Sequence, residues 1–252
     1  MSHGLFLLNL VSRKFCLAGL AGLLFFTCCS SKDKRQEEAV PEEQVVAAGI
    51  EILRNGTPVE RDSVTRSFYN IRNARLLVAH LNDPDSNVQI GVVSALGYIK
   101  DKSTVGPLNE LLLSADDYLL RETVITVLGE IRDTSSVSLL IGLLEDKTTN
   151  RDLRLSLPIT LAAFAETPAA GRVEETFAKM LEQESDDLEI CSFVAMGIQE
   201  IINPDNFRNF RKYLPALREM AEKRKEQSGE DLLWSNFQNT IEKLQTYEPP
   251  AS

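Results

Sequence analysis

Two windows of this 252-residue chain nearly superimpose. QIGVVSALGYIKD (residues 89–101) and RETVITVLGEIRD (121–133) are offset by 32 residues. Val92 matches Val124, Leu96 and Gly97 match Leu128 and Gly129, Ile99 matches Ile131, and Asp101 matches Asp133. A third window, RLSLPITLAAFAE (154–166), follows at an offset of 33 and keeps Leu161 and Phe164. A fourth, EICSFVAMGIQEI (189–201), aligns at an offset of 35 on Met196 and Gly197. A fainter copy, RDSVTRSFYNIRN (61–73), lies 60 residues before the second window, with Val64, Phe68 and Ile71 in register. The apolar positions within each window recur at helical spacing, so each window predicts one amphipathic helix.

A second apolar helix precedes each clear copy, over residues 74–81, 107–113, 137–144 and 172–181. Between the two helices lie NDPDSN, SADD, EDKTTN and EQESDD. Their Asp, Ser and Asn side chains can accept hydrogen bonds from the free amides that open the following helix. Pro107 and Pro168 fall where a proline near a helix start is tolerated. One helix pair cannot bury its own apolar stripe, but stacked pairs share a continuous core. A self-similar period in the low thirties with two helices per period therefore predicts an all-α solenoid.

The pattern DPDSNVQIGVVSALGYIKD resembles a HEAT repeat of the short kind also called PBS-lyase-like. Gln89 departs from the family, which usually places Arg after the Val; Arg121 and Arg154 restore it. The ankyrin TPLH signature is missing, as is the tetratricopeptide pattern of Trp, Gly-Tyr and Pro. The resemblance implies about five helix pairs in a right-handed superhelix. We expect an N-terminal pair over 44–73, HEAT-like repeats over 74–204 and a capping pair over 205–248. In that last pair Phe207, Phe210, Leu214, Leu217 and Met220 share a face, and Pro215 is expected to kink or split the first helix.

The N-terminus has a different character. Arg13 and Lys14 precede the apolar run FCLAGLAGLLFF (15–26), and the polar stretch SSKDKRQEEAVPEEQ begins at Ser30. A basic segment before a short apolar run predicts an export signal. The run is shorter than the ~20 residues that span a bilayer, although the apolar segment before Val11 makes a longer anchor conceivable. A start at Val11, read from a GTG codon, would give a compact signal. The stretch LLFFTCC (23–29) resembles a bacterial lipoprotein signal with the looser lipobox of spirochaetes. That resemblance implies a signal over 1–28, acylation of Cys29 or else Cys28, and a tether over 29–43. The tether's polar, charged composition suits a segment that buries no core.

Net charge is −10, and acidity of this size disfavours nucleic acid and anionic lipid headgroups. His3 and His80 are the only histidines, and no cysteine spacing fits a zinc site, so no metal or cofactor is expected. Deoxyhypusine hydroxylases carry paired His-Glu iron motifs on HEAT repeats, and nothing here matches them. Cys191 is expected to be a buried free thiol. Arg208, Arg211, Lys212, Arg218, Lys223, Arg224 and Lys225 are interleaved with Glu219, Glu222 and Glu226, which predicts a solvated face.

The second helices are apolar almost all round. Opposite the core stripe lie Ile90, Val93, Ile125, Pro158, Ile159, Phe193 and Val194. These residues form either a groove for a partner helix or peptide, or a seam buried within the molecule. The expected function is a membrane-anchored, non-enzymatic scaffold that binds an unidentified protein or peptide in a bacterial cell envelope. The alternatives are an assembly subunit with its apolar face permanently occupied, and an enzyme whose site has no recognised motif.

Overall fold

The structure, a computed structural model, describes residues 40–247. The expected signal, the two candidate acylated cysteines and residues 29–39 of the expected tether lie outside the described residues, and the tether's last two residues, Glu42 and Glu43, already belong to the first helix. Among the described residues there are thirteen α-helices and no strand. The chain divides into two compact units at Ile99 and Lys100.

The first unit holds α1 (Glu42–Asn55), α2 (Pro58–Ser67), α3 (Arg75–Val78) and α4 (Ser86–Ile99). The α1–α2 turn is set by its sequence. The Glu60 amide donates to the Thr57 hydroxyl (3.3 Å) and the Thr57 amide donates to the Glu60 carboxylate (2.9 Å), a reciprocal capping box. Pro58 takes the first turn, where a missing amide costs nothing. Leu53, Phe68, Leu77, Val88, Val92 and Leu96 are fully buried between these helices. Each such side chain contributes about 1.5–3 kcal/mol by leaving water. The helix expected over 74–81 is a single α-turn continued by tighter turns, with His80 donating to Leu77 O and Leu81 to Val78 O.

The second unit holds α5 (Val105–Ser114), α6 (Tyr118–Ile131), α7 (Val137–Glu145), α8 (Arg151–Ala162), α9 (Ala170–Gln183), α10 (Leu188–Ile201), α11 (Phe207–Arg211), α12 (Leu214–Ser228) and α13 (Leu232–Thr246). Helices pack as consecutive pairs: α5 on α6, α7 on α8, α9 on α10, α12 on α13. The second members also pack in succession, α6 on α8, α8 on α10, α10 on α13. This is HEAT-like solenoid packing.

The loop residues act as the sequence predicts. Asp117, Asn150, Asp187 and Asp231 each accept an amide from the first turn of the helix they precede, at 2.7–3.3 Å. The matched pair Asp101 and Asp133 do one job twice: each accepts the amide two residues on, from Ser103 (2.9 Å) and Ser135 (3.0 Å). The expected break in the C-terminal pair falls at Lys212–Tyr213, and Pro215 sits in the first turn of α12.

The caps also correct one register. From Asn150 to Asp187 the spacing is 37 residues, not the 35 on which the fourth window was aligned. At 37, Leu153, Leu157 and Leu161 correspond to Ile190, Val194 and Ile198, all buried. Met196, which the shorter offset placed in the core slot of Leu161, is only half-buried. The difference arises upstream, because α9 has 14 residues where α7 has 9.

Candidate functional site

One position recurs four residues after each second-helix cap, at Arg61, Gln89, Arg121, Arg154 and Cys191. Its role is structural. Gln89 Nε2 donates to Leu81 O (3.0 Å), Arg154 Nε to Leu144 O (2.9 Å) and Cys191 Sγ to Glu184 O (3.2 Å). In each case a side chain satisfies a carbonyl at the end of the preceding helix, one of the acceptors that an α-helix leaves open. Gln89 therefore replaces the expected arginine without loss of function at that position. Cys191 is buried as expected, and it is also a donor. Burial, followed by the carboxylates of Asp187, Glu184 and Asp186, pushes its thiol up to about 12.

The seven residues expected to form a partner face separate into two groups. Val93, Ile125, Pro158 and Val194 are fully or nearly fully buried and belong to the core. In the second unit the reason is the stacking of second helices, which consumes both flanks of each inner helix. A Cβ on Gly197 would lie 2.9 Å from the Phe177 ring and 3.0 Å from Pro158 O. A Cβ on Gly129 would lie 2.9 Å from Thr160 Cγ2. The two glycines let α10 approach α8, and α6 approach α8, closely. Ile90, in the first unit, and Phe193 are half-buried, and Ile159 is 41% exposed.

With the registers fixed by the caps, the outward stripe of α6, α8 and α10 forms rows. Thr126, Ile159 and Met196 share one row; Thr123, Ser156 and Phe193 share another; Glu130, Ala163 and Glu200 share a third. Leu155 and Asp152 lie one and two turns nearer the start of α8 than Ile159. The open part of the face is thus an apolar centre on α8 and α10, edged by carboxylates. Leu155 lies on the expected apolar face, whereas Met196 was not among the expected partner residues. The shifted register hid Met196, and the exposure of Leu155 depends on which flank the neighbouring helix covers.

At the helix starts of the same unit, Lys147, Arg151, Glu184, Asp186, Asp187, Glu189 and Arg224 line a polar cleft of about 520 Å³. Its charges are largely matched. Arg151 grips Asp187 (2.7 and 2.8 Å) and Glu189 (2.7 and 3.0 Å). Those two carboxylates hold the guanidinium above its ordinary range, and the Arg151 contact holds Asp187 below the ordinary aspartate range. Glu184 and Arg154, both buried, pair at 3.2 Å, and Lys147 reaches the same oxygen from solvent at 3.2 Å.

Much of the basic set on α11 and α12 also finds partners. Lys223 meets Glu219 (2.8 Å), Lys225 meets Glu230 (2.7 Å), Arg224 meets Asp231, and Lys212 lies 4.7 Å from the Tyr213 ring centroid. In the first unit, a cleft of about 470 Å³ between α1 and α3 is lined by Val46, Ala47, Ile50, Leu76, Ala79 and His80. It opens because α3 has only four residues and covers α1 incompletely. Among the described residues, no three His, Cys, Asp or Glu side chains group as metal ligands. No described helix is long and apolar enough to cross a membrane.

The family comparison agrees with the packing. Residues 74–162 match the family model described as HEAT repeats. A crystal structure of an engineered protein is similar at a TM-score of 0.47 and 18% identity, covering 81% of this chain and 97% of that one. No curated protein matches the chain. The family match and the paired helices support a HEAT-repeat domain, a fold that typically serves as a non-catalytic scaffold for protein interaction.

Proposed function

We propose that this chain is a lipid-anchored interaction scaffold of a bacterial cell envelope, with no catalytic role of its own. The observation that carries the scaffold reading is the outward stripe of α6, α8 and α10. There Ile159 stays 41% exposed and Phe193 and Met196 partly exposed, while the flanks of each helix are spent on stacking. Apolar side chains left on a registered, rigid surface suit a partner helix or an extended peptide. The anchoring reading is supported by sequence alone: Arg13 and Lys14, the apolar run over 15–26, the twin cysteines and the polar stretch after them. Acylation at Cys29, or at Cys28, would hold the chain on the membrane. More than one acyl chain is needed for firm attachment, since a single chain binds only marginally.

Affinity capture from membranes, with mass spectrometry of the N-terminal peptide, tests both parts. The expected result is an acylated peptide beginning at Cys29 or Cys28, and a protein partner that co-purifies. Replacing both residues (Cys28→Ala with Cys29→Ala) should move the chain from the membrane fraction to the soluble fraction. An unmodified N-terminal peptide and no partner would overturn the reading.

A further inference from the structure

We propose that the outward face of α6, α8 and α10 docks a cationic amphipathic segment of a partner protein, with apolar residues seated on Ile159, Phe193 and Met196 and Lys or Arg side chains meeting Glu122, Glu130 and Glu200. This deepens the scaffold reading and rests on it. The argument is charge complementarity on a fixed surface. Met196 and Ile159 occupy corresponding positions on two packed helices, and Phe193 lies a turn from Met196. Glu130 and Glu200 occupy corresponding positions at the far edge, and Glu122 flanks the near side on α6.

Among the described residues none of these three carboxylates takes part in an ion pair, although Glu122 pairs with the Tyr118 hydroxyl. In the polar cleft, by contrast, Arg151 pairs with Asp187 and Glu189, and on α12 Lys223 pairs with Glu219 and Lys225 with Glu230. The cations on or beside these helices have other contacts. Arg151 is held by Asp187 and Glu189, Arg132 lies 3.9 Å from Glu166, and the Lys243 ammonium donates to Gln199 O. Arg121 is folded inward, with its Nε buried. A face that is apolar in the middle and anionic at its rim repels an acidic partner and steers a basic one. It also repels nucleic acid and anionic lipid, so a protein segment is the occupant that fits.

The test uses the full chain and two synthetic helical peptides, one with leucines on one face and lysines on the other, the second with glutamates in place of the lysines. Binding is read by fluorescence anisotropy, and a photo-crosslinker on the peptide maps the contact. The lysine peptide should bind and crosslink to α8 and α10, and the glutamate peptide should not. Reversing the rim (Glu130→Lys with Glu200→Lys) should weaken the lysine peptide by about tenfold or more. A control pair of equal charge change elsewhere (Glu110→Lys with Glu222→Lys) should change binding much less, which separates docking from general attraction to an acidic protein. Ile159→Asp should also weaken the apolar contact.

Equal binding of the two peptides, equal effects of rim and control pairs, or crosslinks confined to other helices would overturn the proposal. If the lysine peptide fails while membrane capture still yields a partner, the inference falls and the scaffold reading stands. If capture also fails, both fall.

Discussion

The Arg154–Glu184 pair should respond unequally to loss of its two members. Both side chains are nearly sealed from solvent, with 6% and 8% exposed, and they meet at 3.2 Å. Glu184 has a second partner, Lys147, whose side chain is 69% exposed and whose ammonium reaches the same oxygen at 3.2 Å. Arg154 has only the Leu144 carbonyl besides, at 2.9 Å. Removing the carboxylate by Glu184→Ala strands a buried guanidinium, which costs on the order of 3–5 kcal/mol. Removing the guanidinium by Arg154→Met leaves Glu184 neutralised by Lys147 and fills the space with an apolar chain. The loss is then that of a charge-assisted hydrogen bond, about 1.5–3 kcal/mol, part of it returned by methionine packing. The expected gap of about 2 kcal/mol corresponds to a difference in Tm of about 4–8 °C for a chain of this size. The double variant Arg154→Met with Glu184→Leu should recover much of the loss, because a buried ion pair is often replaceable by apolar side chains. Urea denaturation, followed by helical circular dichroism and by fluorescence of Trp234 on α13, measures all three. A loss for Arg154→Met equal to or greater than that for Glu184→Ala would refute the assignment of Lys147 as the second partner.

Three further outcomes are expected. Gly197→Ala should destabilise the protein by about 1–2 kcal/mol, because overpacking against Pro158 O and the Phe177 ring outweighs the gain in helix propensity; Gly142→Ala on α7, where a Cβ meets nothing within 4 Å, should stabilise by up to about 1 kcal/mol, and thermal melts compare the two. Acid should weaken the fold: Arg151 holds Asp187 low, Arg224 holds Asp231 low and the Ser135 hydroxyl and amide hold Asp133 low, so their stabilisation is complete above the ordinary aspartate value of 3.8 and is lost as pH falls through the depressed values; urea midpoints unchanged between pH 5 and pH 2, a range set by those directions, would contradict this. Cys191 should resist alkylation in the native state at neutral pH, with its thiol pushed up to about 12, and modification mapped by mass spectrometry should appear only with unfolding.

Much of this architecture is visible in the spacing of apolar residues. The second helices, their Asp and Asn caps and the repeated Asp101 and Asp133 turns can all be located from self-similarity, because each copy must solve the same packing and capping problem. The register of the fourth copy is not visible, since Met196 and Gly197 offer a plausible match to Leu161 and Ala162 and only the extra length of α9 shows it to be wrong. Which residues of the candidate face reach solvent is not visible in the sequence. An inner helix of an array touches helices on both flanks, so Ile125, Pro158 and Val194 look as apolar as Ile159 in sequence, yet only Ile159 faces outward. Periodicity reports that a side is apolar; it does not report whether a neighbouring helix or solvent lies against it. The cleft at α3 is invisible for a related reason, because residues 74–81 carry a full helix's worth of apolar residues and form one α-turn.

The contact between α10 and α13 shows how the second unit ends. Between α8 and α10 the contact is made by apolar side chains and the close approach at Gly197, with Arg151 gripping Asp187 and Glu189 at its exposed end. Between α10 and α13 it is polar and buried. Ser192 Oγ donates to Leu233 O (2.9 Å), Asn236 Nδ2 donates to Ser192 Oγ (3.1 Å), and Thr240 Oγ1 lies 2.7 Å from Ala195 O and donates to it. A buried hydroxyl or amide without a partner costs about 1–3 kcal/mol, so this surface of α10 accepts a helix with matching donors and acceptors and penalises others. A further repeat with aliphatic residues at those positions would take away the side-chain amide that donates to the buried Ser192 hydroxyl and the side-chain donor to the Ala195 carbonyl. The far side of α13 presents Asn239, Glu242, Gln245 and Thr246 to solvent, a surface on which no apolar stripe can stack. Polar matching inward and a polar face outward are the features that solenoids place on an atypical terminal repeat.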